Sequence, residues 1–139
     1  MSMIHSQYLE AEILSADPVK LTALLYRGAL DAVTSARRHL ANGEIRERSR
    51  RITQAYEILF ELSSVLDHKA GGEISRNLGE LYAYMQVRLL DANARQVDQP
   101  LAEIEQLLTS ISEAWSAVPS APTHSSVSEE EYSPVSFTG

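Results

Sequence analysis

The spacing of the apolar residues constrains this chain most, because they recur every three or four positions through four long segments. That period lines up side chains on one face of an α-helix, whereas strict alternation would indicate a strand. Only short turn signals separate the segments, at 42–43, 71–72 and 98–100. Because helices of similar length joined by short turns pack side by side, the sequence predicts an all-α, antiparallel up-down four-helix bundle.

Capping residues set the expected helix ends. Pro18 follows Asp17 and suits a first helical position, since proline has no N–H to satisfy there. Gly43 suits the left-handed conformation that ends many helices. We therefore expect a helical bundle over 17–118, with helices near 18–42, 44–67, 73–96 and 100–118.

The two ends of the chain differ from the bundle in composition. Residues 1–16 hold a short apolar cluster, which indicates an arm or a short additional helix capping the bundle. Residues 119–139 are rich in Ser, Pro and Glu. Such a stretch carries too little apolar surface to offset the entropy of ordering a chain, so we expect a disordered tail.

Overall composition excludes several classes of protein. The 139 residues are enough for one domain, and the net charge of −7 argues against nucleic acid or an anionic membrane as the main partner. There is no cysteine, which excludes disulfides and thiolate chemistry. The N-terminus lacks the pattern of a secretory signal and no stretch is long and apolar enough to span a membrane, so we expect a cytoplasmic protein.

A helical-wheel projection assigns one core-facing stripe to each of the middle helices. On the second helix, the residues within about 60° of Leu59 are predicted to face the core. On the third helix, a similar stripe is predicted around Met85. The members of the two stripes are Ile45, Ile52, Ala55, Tyr56, Leu62 and Leu66 with Leu59, and Ile74, Leu78, Leu81, Tyr82, Leu89 and Ala92 with Met85.

Both middle helices also carry apolar residues outside these stripes. They are Ile58, Phe60 and Val65 on the second helix, and Ala83, Tyr84, Val87, Leu90 and Ala94 on the third. One interpretation is that both helices are central and touch neighbours on two sides. The other is a groove that receives an amphipathic helix or an apolar extended segment. In that case the N-terminal arm, around Tyr8 to Leu14, would serve as an internal lid.

No constellation of catalytic or metal-binding residues is present. None of the four histidines has a glutamate three residues before it, and no pair of histidines has zinc-site spacing. The Gly71-Gly72 pair lacks the lysine that follows in a phosphate-binding loop. We therefore predict that the chain is not an enzyme and needs no cofactor and no metal.

Arginines concentrate where the first helix ends and the second begins. Residues 37–51 contain six arginines against Glu44 and Glu47. We interpret this segment as a solvated end of the bundle that contacts the acidic tail. The alternative is a surface that binds phosphates or an acidic partner protein.

Two stretches of the sequence resemble a known family. The first is YLEAEILSADPVKLTALLYRGAL at 8–30, and the second is AGGEISRNLGELYAYMQVRLLDAN at 70–93. Both are similar to motifs of the FliS family of flagellin-export chaperones, and the resemblance extends in order over about 8–115. The tail beyond Val118 matches no motif of that family.

The resemblance implies a cytoplasmic helical bundle, a monomer or a weak dimer, that binds the C-terminal region of flagellin. Such a chaperone prevents premature polymerisation and delivers flagellin to the export gate protein FlhA, with FliW as a possible further partner. It also implies an N-terminal lid, formed here by Tyr8, Ile13 and Leu14. The flagellin-binding surface would then be Ile58, Val65, Tyr84, Val87 and Leu90. The alternative is a helical dimerisation or adaptor module without a flagellin client.

Overall fold

A computed structural model describes residues 18–66 and 68–117, with side chains for all of these except 68–70. Four helices account for nearly all of this part, and it contains no strand. The helices are α1 (Pro18–Ala41), α2 (Ile45–Ser64), α3 (His68–Arg95) and α4 (Gln99–Ser116). The all-α class is therefore confirmed, whereas the expected arm over 1–16 and the expected tail over 119–139 lie outside the described residues.

Glycines at positive φ mark two of the expected breaks. Gly43 has φ +74 directly after α1, and the N–H of Glu44 donates to the carbonyl of His39 at 2.8 Å. Gly72 has φ +55 and ψ −124 within the first turns of α3, so the regular part of that helix begins at Glu73. Both conformations are strained for residues with a Cβ. The predicted break at Gly43 is confirmed, and regular helix begins at Glu73 as predicted, whereas α2 ends at Ser64 rather than near Asp67 and a helical turn from His68 precedes Gly72.

Each helix packs against its neighbour in the chain, and α4 packs back against α1. The core comes from one face of each helix, as amphipathic helices require. The predicted stripes of α2 and α3 supply much of it. The fully buried apolar residues of these two helices are Ile52, Ala55, Leu59, Leu62, Tyr82, Met85, Leu89 and Ala92. On α1 the buried line runs through Tyr26, Ala29, Ala32, Val33 and Ala36.

Two residues of the predicted core stripes are exposed instead. Ile45 is 49% exposed and Ile74 is 70% exposed. Ile45 is the first residue of α2, where a terminal turn projects past its neighbours. Ile74 follows the break at Gly72 and lies at the edge of a cavity. The wheel projection was wrong for both because it gives the direction of a side chain around the helix axis, but not whether another helix packs against that turn.

The arginine-rich segment is only partly a solvated end. Arg48 is 1% exposed and donates to the backbone carbonyl oxygens of Ala92 at 3.0 Å and Asn93 at 3.4 Å. These carbonyls belong to the last turn of α3, and that of Ala92 also accepts the N–H of Gln96 at 2.8 Å, so Arg48 supplies it with a second bond. Arg37 donates to both carboxylate oxygens of Asp98 at 2.8 Å and to Glu105 Oε1 at 2.6 Å. Arg37 and Arg48 are therefore structural.

Candidate functional site

A cavity of about 340 Å³ opens at one end of the helices, and we refer to it as the end cavity. It lies where α1 and α3 begin and where α2 and α4 end. Apolar side chains dominate its walls. The lining residues are Pro18, Val19, Thr22, Tyr26, Leu62, Val65, Leu66, Gly71, Ile74, Ser75, Leu78, Tyr82 and Trp115.

Three aromatic residues build the inner wall of the end cavity. The hydroxyl groups of Tyr26 and Tyr82 share a hydrogen bond of 2.5 Å, and both residues are almost completely buried. The indole of Trp115 meets the Tyr26 ring edge-on at 5.9 Å between centroids, and its Nε1 donates to the carbonyl of Val19 at 3.0 Å. Burial raises the pKa of both phenols, so this wall stays uncharged.

Large apolar side chains are also exposed along the outer side of α3. Tyr84 is 44% exposed, Val87 63% and Leu90 54%, and their spacing of three residues keeps them on one side of the helix. Phe60 of α2 is 64% exposed. It lies one turn beyond Tyr56, whose carbonyl accepts a hydrogen bond from Gln86 of α3 at 3.2 Å. We call the three residues of α3 (Tyr84, Val87 and Leu90) the lateral stripe.

A polar network borders the lateral stripe on the side of α4. The hydroxyl of Tyr84 donates to Glu103 Oε2 at 2.7 Å, and Arg88 Nε donates to Glu103 Oε1 at 2.8 Å. The bond from Tyr84 and, to a smaller extent, the bond from Arg88 lower the pKa of the Glu103 carboxyl group. The network fixes the Tyr84 ring at the edge of the apolar surface.

The residues predicted for flagellin binding lie in three places. Tyr84, Val87 and Leu90 come together in the lateral stripe. Val65 is 38% exposed and lines the end cavity. Ile58 is half-buried and packs against the core, with its Cδ1 3.3 Å from where a Cβ on Gly28 of α1 would lie. The predicted lid residues Tyr8, Ile13 and Leu14 are outside the described residues.

The sequence analysis missed the end cavity itself. Four helix ends, far apart in sequence, form it together, and no local pattern shows how far the four ends stand apart. One signal was present: Tyr26 lies in the first half of α1, Tyr82 at the middle of α3 and Trp115 in the last turn of α4. Their clustering at a common end follows once the helices pair.

Neither a membrane span nor a metal centre is present in the part of the chain that the structure describes. No helix there is long and apolar enough to cross a membrane. Within the same residues, no group of three or more His, Asp or Glu side chains is arranged to hold a metal ion. The apolar surfaces are thus the features that single out this bundle.

Comparison with known proteins decides the family. The model of the family described as "Flagellar protein FliS" matches residues 1–122. The chain belongs to the FliS family. This is a family of chaperones and not of enzymes, and membership supports a chaperone role in flagellar export.

Individual relatives agree with this assignment. This FliS-family chain is 40% identical over 111 residues to the flagellar secretion chaperone FliS of Salmonella typhimurium, covering 79% of this chain and 82% of that protein. It is 34% identical over 110 residues to FliSB of Pseudomonas aeruginosa, with 79% and 87% covered. Identity to FliS of Bacillus subtilis is 30% over 111 residues, with 80% and 82% covered. The identification from the two sequence stretches is confirmed.

Proposed function

We propose that this FliS-family chain binds the C-terminal region of flagellin, prevents its premature polymerisation and delivers it to the flagellar export gate. The observation that carries the proposal is the lateral stripe, where Tyr84, Val87 and Leu90 are each about half exposed on one side of α3. Contiguous apolar surface of this kind marks an interaction site in soluble proteins. An amphipathic helix or an apolar extended segment is the partner that such a surface fits.

The size of the apolar surface matches the cost of binding an unfolded partner. A segment that becomes ordered on binding gives up several kcal/mol of the interaction energy to that ordering. A single small pocket does not offset this cost, but an elongated stripe together with the end cavity does. Holding and releasing such a segment is an equilibrium exchange, so the proposed function needs no nucleotide site.

The two apolar areas have separate roles in the proposal. The lateral stripe contacts flagellin directly, and Val65 extends that contact at the end cavity. Ile58, being half-buried against α1, contributes least of the five residues. Tyr8, Ile13 and Leu14 of the N-terminal segment cover the end cavity as a lid when no client is bound. Ile13 and Leu14 precede the cavity residue Pro18 by only a few positions, a reach of about 17 Å at most.

We also infer that the four helices alternate in direction as an up-down bundle. Trp115 near the end of α4 bonds to Val19 at the start of α1, whereas Asp98 just before α4 pairs with Arg37 near the end of α1. These two contacts support antiparallel packing of α1 and α4. The proposal further includes a cytoplasmic monomer or weak dimer, with FlhA as the gate protein and FliW as another partner.

The test is titration calorimetry with the organism's flagellin, intact and lacking its last ~40–50 residues, a length that provides the few helical turns such a surface holds. We expect Val87→Asp and Tyr84→Asp to weaken binding of the intact flagellin at least tenfold while thermal unfolding hardly changes. Gln106→Asp, at an exposed position on α4, is the matched control and should bind normally.

Several results would contradict the proposal. If truncated flagellin binds as well as the intact protein, the C-terminal region is not the client segment. If both stripe variants fold and bind normally, the lateral stripe is not the contact surface. A stable dimer in light scattering that flagellin does not alter would favour the helical dimerisation module instead.

A further inference from the structure

The outward side of the first turns of α2 carries arginines that the packing of the bundle does not use. Arg46 is exposed and has no partner among the described residues, and Arg50 is 64% exposed at its side chain. Together with Arg51 they line an open cleft on α2. Arg51 bonds to Gln54 at 3.0 Å, but its Nε lacks a partner within residues 18–66 and 71–117. We call Arg46, Arg50 and Arg51 the arginine face.

The charges of α2 are arranged against the dipole of the helix. The N-terminus of a helix carries a partial positive charge, so arginines near it are unfavourable by about 0.3–1 kcal/mol each. Glu57 and Glu61 lie in the second half, where cations would be favoured. Near the arginine face, Glu47 pairs with Arg50 at 3.2 Å. This arrangement does not serve helix stability, and it concentrates positive potential where α2 begins.

The same asymmetry extends over the bundle. The half that holds residues 37–52 and 88–105 has eight arginines and six carboxylates. The other half, which surrounds the end cavity, has six carboxylates but only Lys20, Arg27 and Arg76 as cations among its described residues. An acidic segment of chain is therefore repelled from one half and attracted to the other.

We propose that the acidic triplet 129–131 of the same chain binds the arginine face. The triplet is three consecutive glutamates, which match the three arginines in charge. α4 ends at the acidic half, where Glu113 lies one turn before Ala117. The arginine face is about 26 Å further along the bundle axis, at 1.5 Å per helical residue, and about 13 Å sideways, because α2 is diagonal to α4 and neighbouring helices lie about 8–10 Å apart. Residues 118–129 span up to about 40 Å when extended, so the triplet reaches it.

This contact is a reversible electrostatic cover. It buries no apolar surface, so its strength depends on Coulomb attraction between exposed groups and falls as salt is added. A partner with an acidic segment of its own would have to displace the triplet before binding the same arginines. The inference is independent of the flagellin proposal, because the isolated chain suffices to test it.

The absence of cysteine allows a clean test by paramagnetic relaxation. A nitroxide attached to Ser128→Cys lies next to the triplet without removing any charge. At an ionic strength of about 0.01 M, where the Debye length is about 30 Å, we expect the label to broaden the amide signals of residues 46–54. At about 1 M, where that length is about 3 Å, we expect the broadening to be lost.

Matched variants separate the charge contact from chance proximity. Replacing Glu129, Glu130 and Glu131 by Gln, or Arg46 and Arg50 by Gln, should abolish the broadening at low salt. Arg27→Gln with Arg76→Gln removes the same charge from the other half and should leave it intact. Broadening that is absent, that survives the triple replacement, or that appears on an unlabelled isotope-enriched copy mixed with the labelled chain would overturn the intramolecular contact.

Discussion

The two ends of this bundle differ in the side chains that form them. At the end where α1 meets α2, arginines join helices through bonds with defined partners, as Arg37 does with Asp98 and Glu105. At the other end, apolar and aromatic side chains surround the end cavity of about 340 Å³. The first end holds the helices in fixed positions, whereas the second leaves apolar surface that the described helices do not cover. A chaperone needs both properties in one small molecule.

At the first end, buried and partly buried polar side chains join α2 to α3. Arg48 reaches across from α2 and donates to the last carbonyls of α3, while Ser49 donates to the side-chain oxygen of Asn93 at 2.8 Å. Hydrogen bonds from a charged donor stabilise by about 1.5–3 kcal/mol each, so Arg48 holds α2 to the end of α3 although the Ala92 carbonyl also accepts the N–H of Gln96.

The largest expected effect is the loss of stability on replacing Arg48, since its bonds hold the first end of the bundle together. We expect Arg48→Ala to lower the free energy of unfolding by about 3 kcal/mol, because it removes the charged donor to two carbonyls, of which Ala92 keeps the N–H of Gln96, and leaves a void in the core. Urea denaturation measures the difference. The matched control is Arg46→Ala two residues earlier, an exposed position where the change should stay within about 0.5 kcal/mol.

A third variant tests the reason for that loss. Arg48→Met keeps most of the side-chain volume but cannot donate, so the difference between it and Arg48→Ala separates packing from hydrogen bonding. Equal stability of Arg48→Ala and Arg46→Ala would contradict a structural role for Arg48.

The sequence contained the information needed to place Arg48, but not Arg37. Arg48 lies about 20° from Leu59 on the helical wheel, and therefore within the predicted core stripe between Ile45 and Ile52. Reading the arginines as one charged segment concealed this. Arg37 bridges to Asp98 and Glu105, and a contact over more than sixty residues has no local signature.

For the candidate site too, some features could be predicted from the sequence and others could not. The wheel projection identified Tyr84, Val87 and Leu90 as surplus because a strong periodic core stripe leaves its opposite side unambiguous. It misjudged Ile74 because exposure there depends on the spacing of four helix ends. Periodicity therefore predicts which side of a helix faces the core, but not how far the core extends along it.

The contribution of the second end to stability can be tested at Trp115. Trp115→Phe retains an aromatic ring against Tyr26 but loses the donor to the Val19 carbonyl. We expect the free energy of unfolding to fall by about 1–2 kcal/mol, from the lost bond and from the smaller ring in the cavity wall. Tyr132→Phe, which also changes one aromatic polar group but lies outside the described residues, is a control for the substitution itself. A loss as large as that of Arg48→Ala would mean that the two ends are equally fastened.

Salt separates the ion pairs of the first end from the apolar contacts of the second. Arg37→Gln removes two pairs whose side chains are a third to nearly half exposed, so we expect a loss below about 1 kcal/mol. The loss should shrink at about 1 M salt, where screening is strong, whereas that of Trp115→Phe should not. Thermal unfolding measured at low salt and at about 1 M salt checks this, with Arg38→Gln at an exposed position as the control. Equal salt responses of Arg37→Gln and Trp115→Phe would contradict the assignment.

The smallest effect concerns the border of the lateral stripe, and it depends on pH. Hydrogen bonds from Tyr84 and Arg88 lower the pKa of Glu103 in the folded chain below its usual 4.5. A group with a depressed folded pKa contributes stability above its unfolded pKa, and that stability is lost as the pH falls through the folded pKa. Glu103→Gln should therefore show a weaker loss of stability than the parent chain as pH falls below about 4.5.

The control for this last prediction is Gln106→Asn, an exposed position on α4 where the substitution changes no charge. Its stability should depend on pH as that of the parent chain does, when both are followed by circular dichroism during acid titration. If Glu103→Gln loses stability on acidification as steeply as the parent, the network does not hold Tyr84 in place. The Tyr84 ring would then be as mobile as any exposed side chain, and the lateral stripe would have no fixed edge on the side of α4.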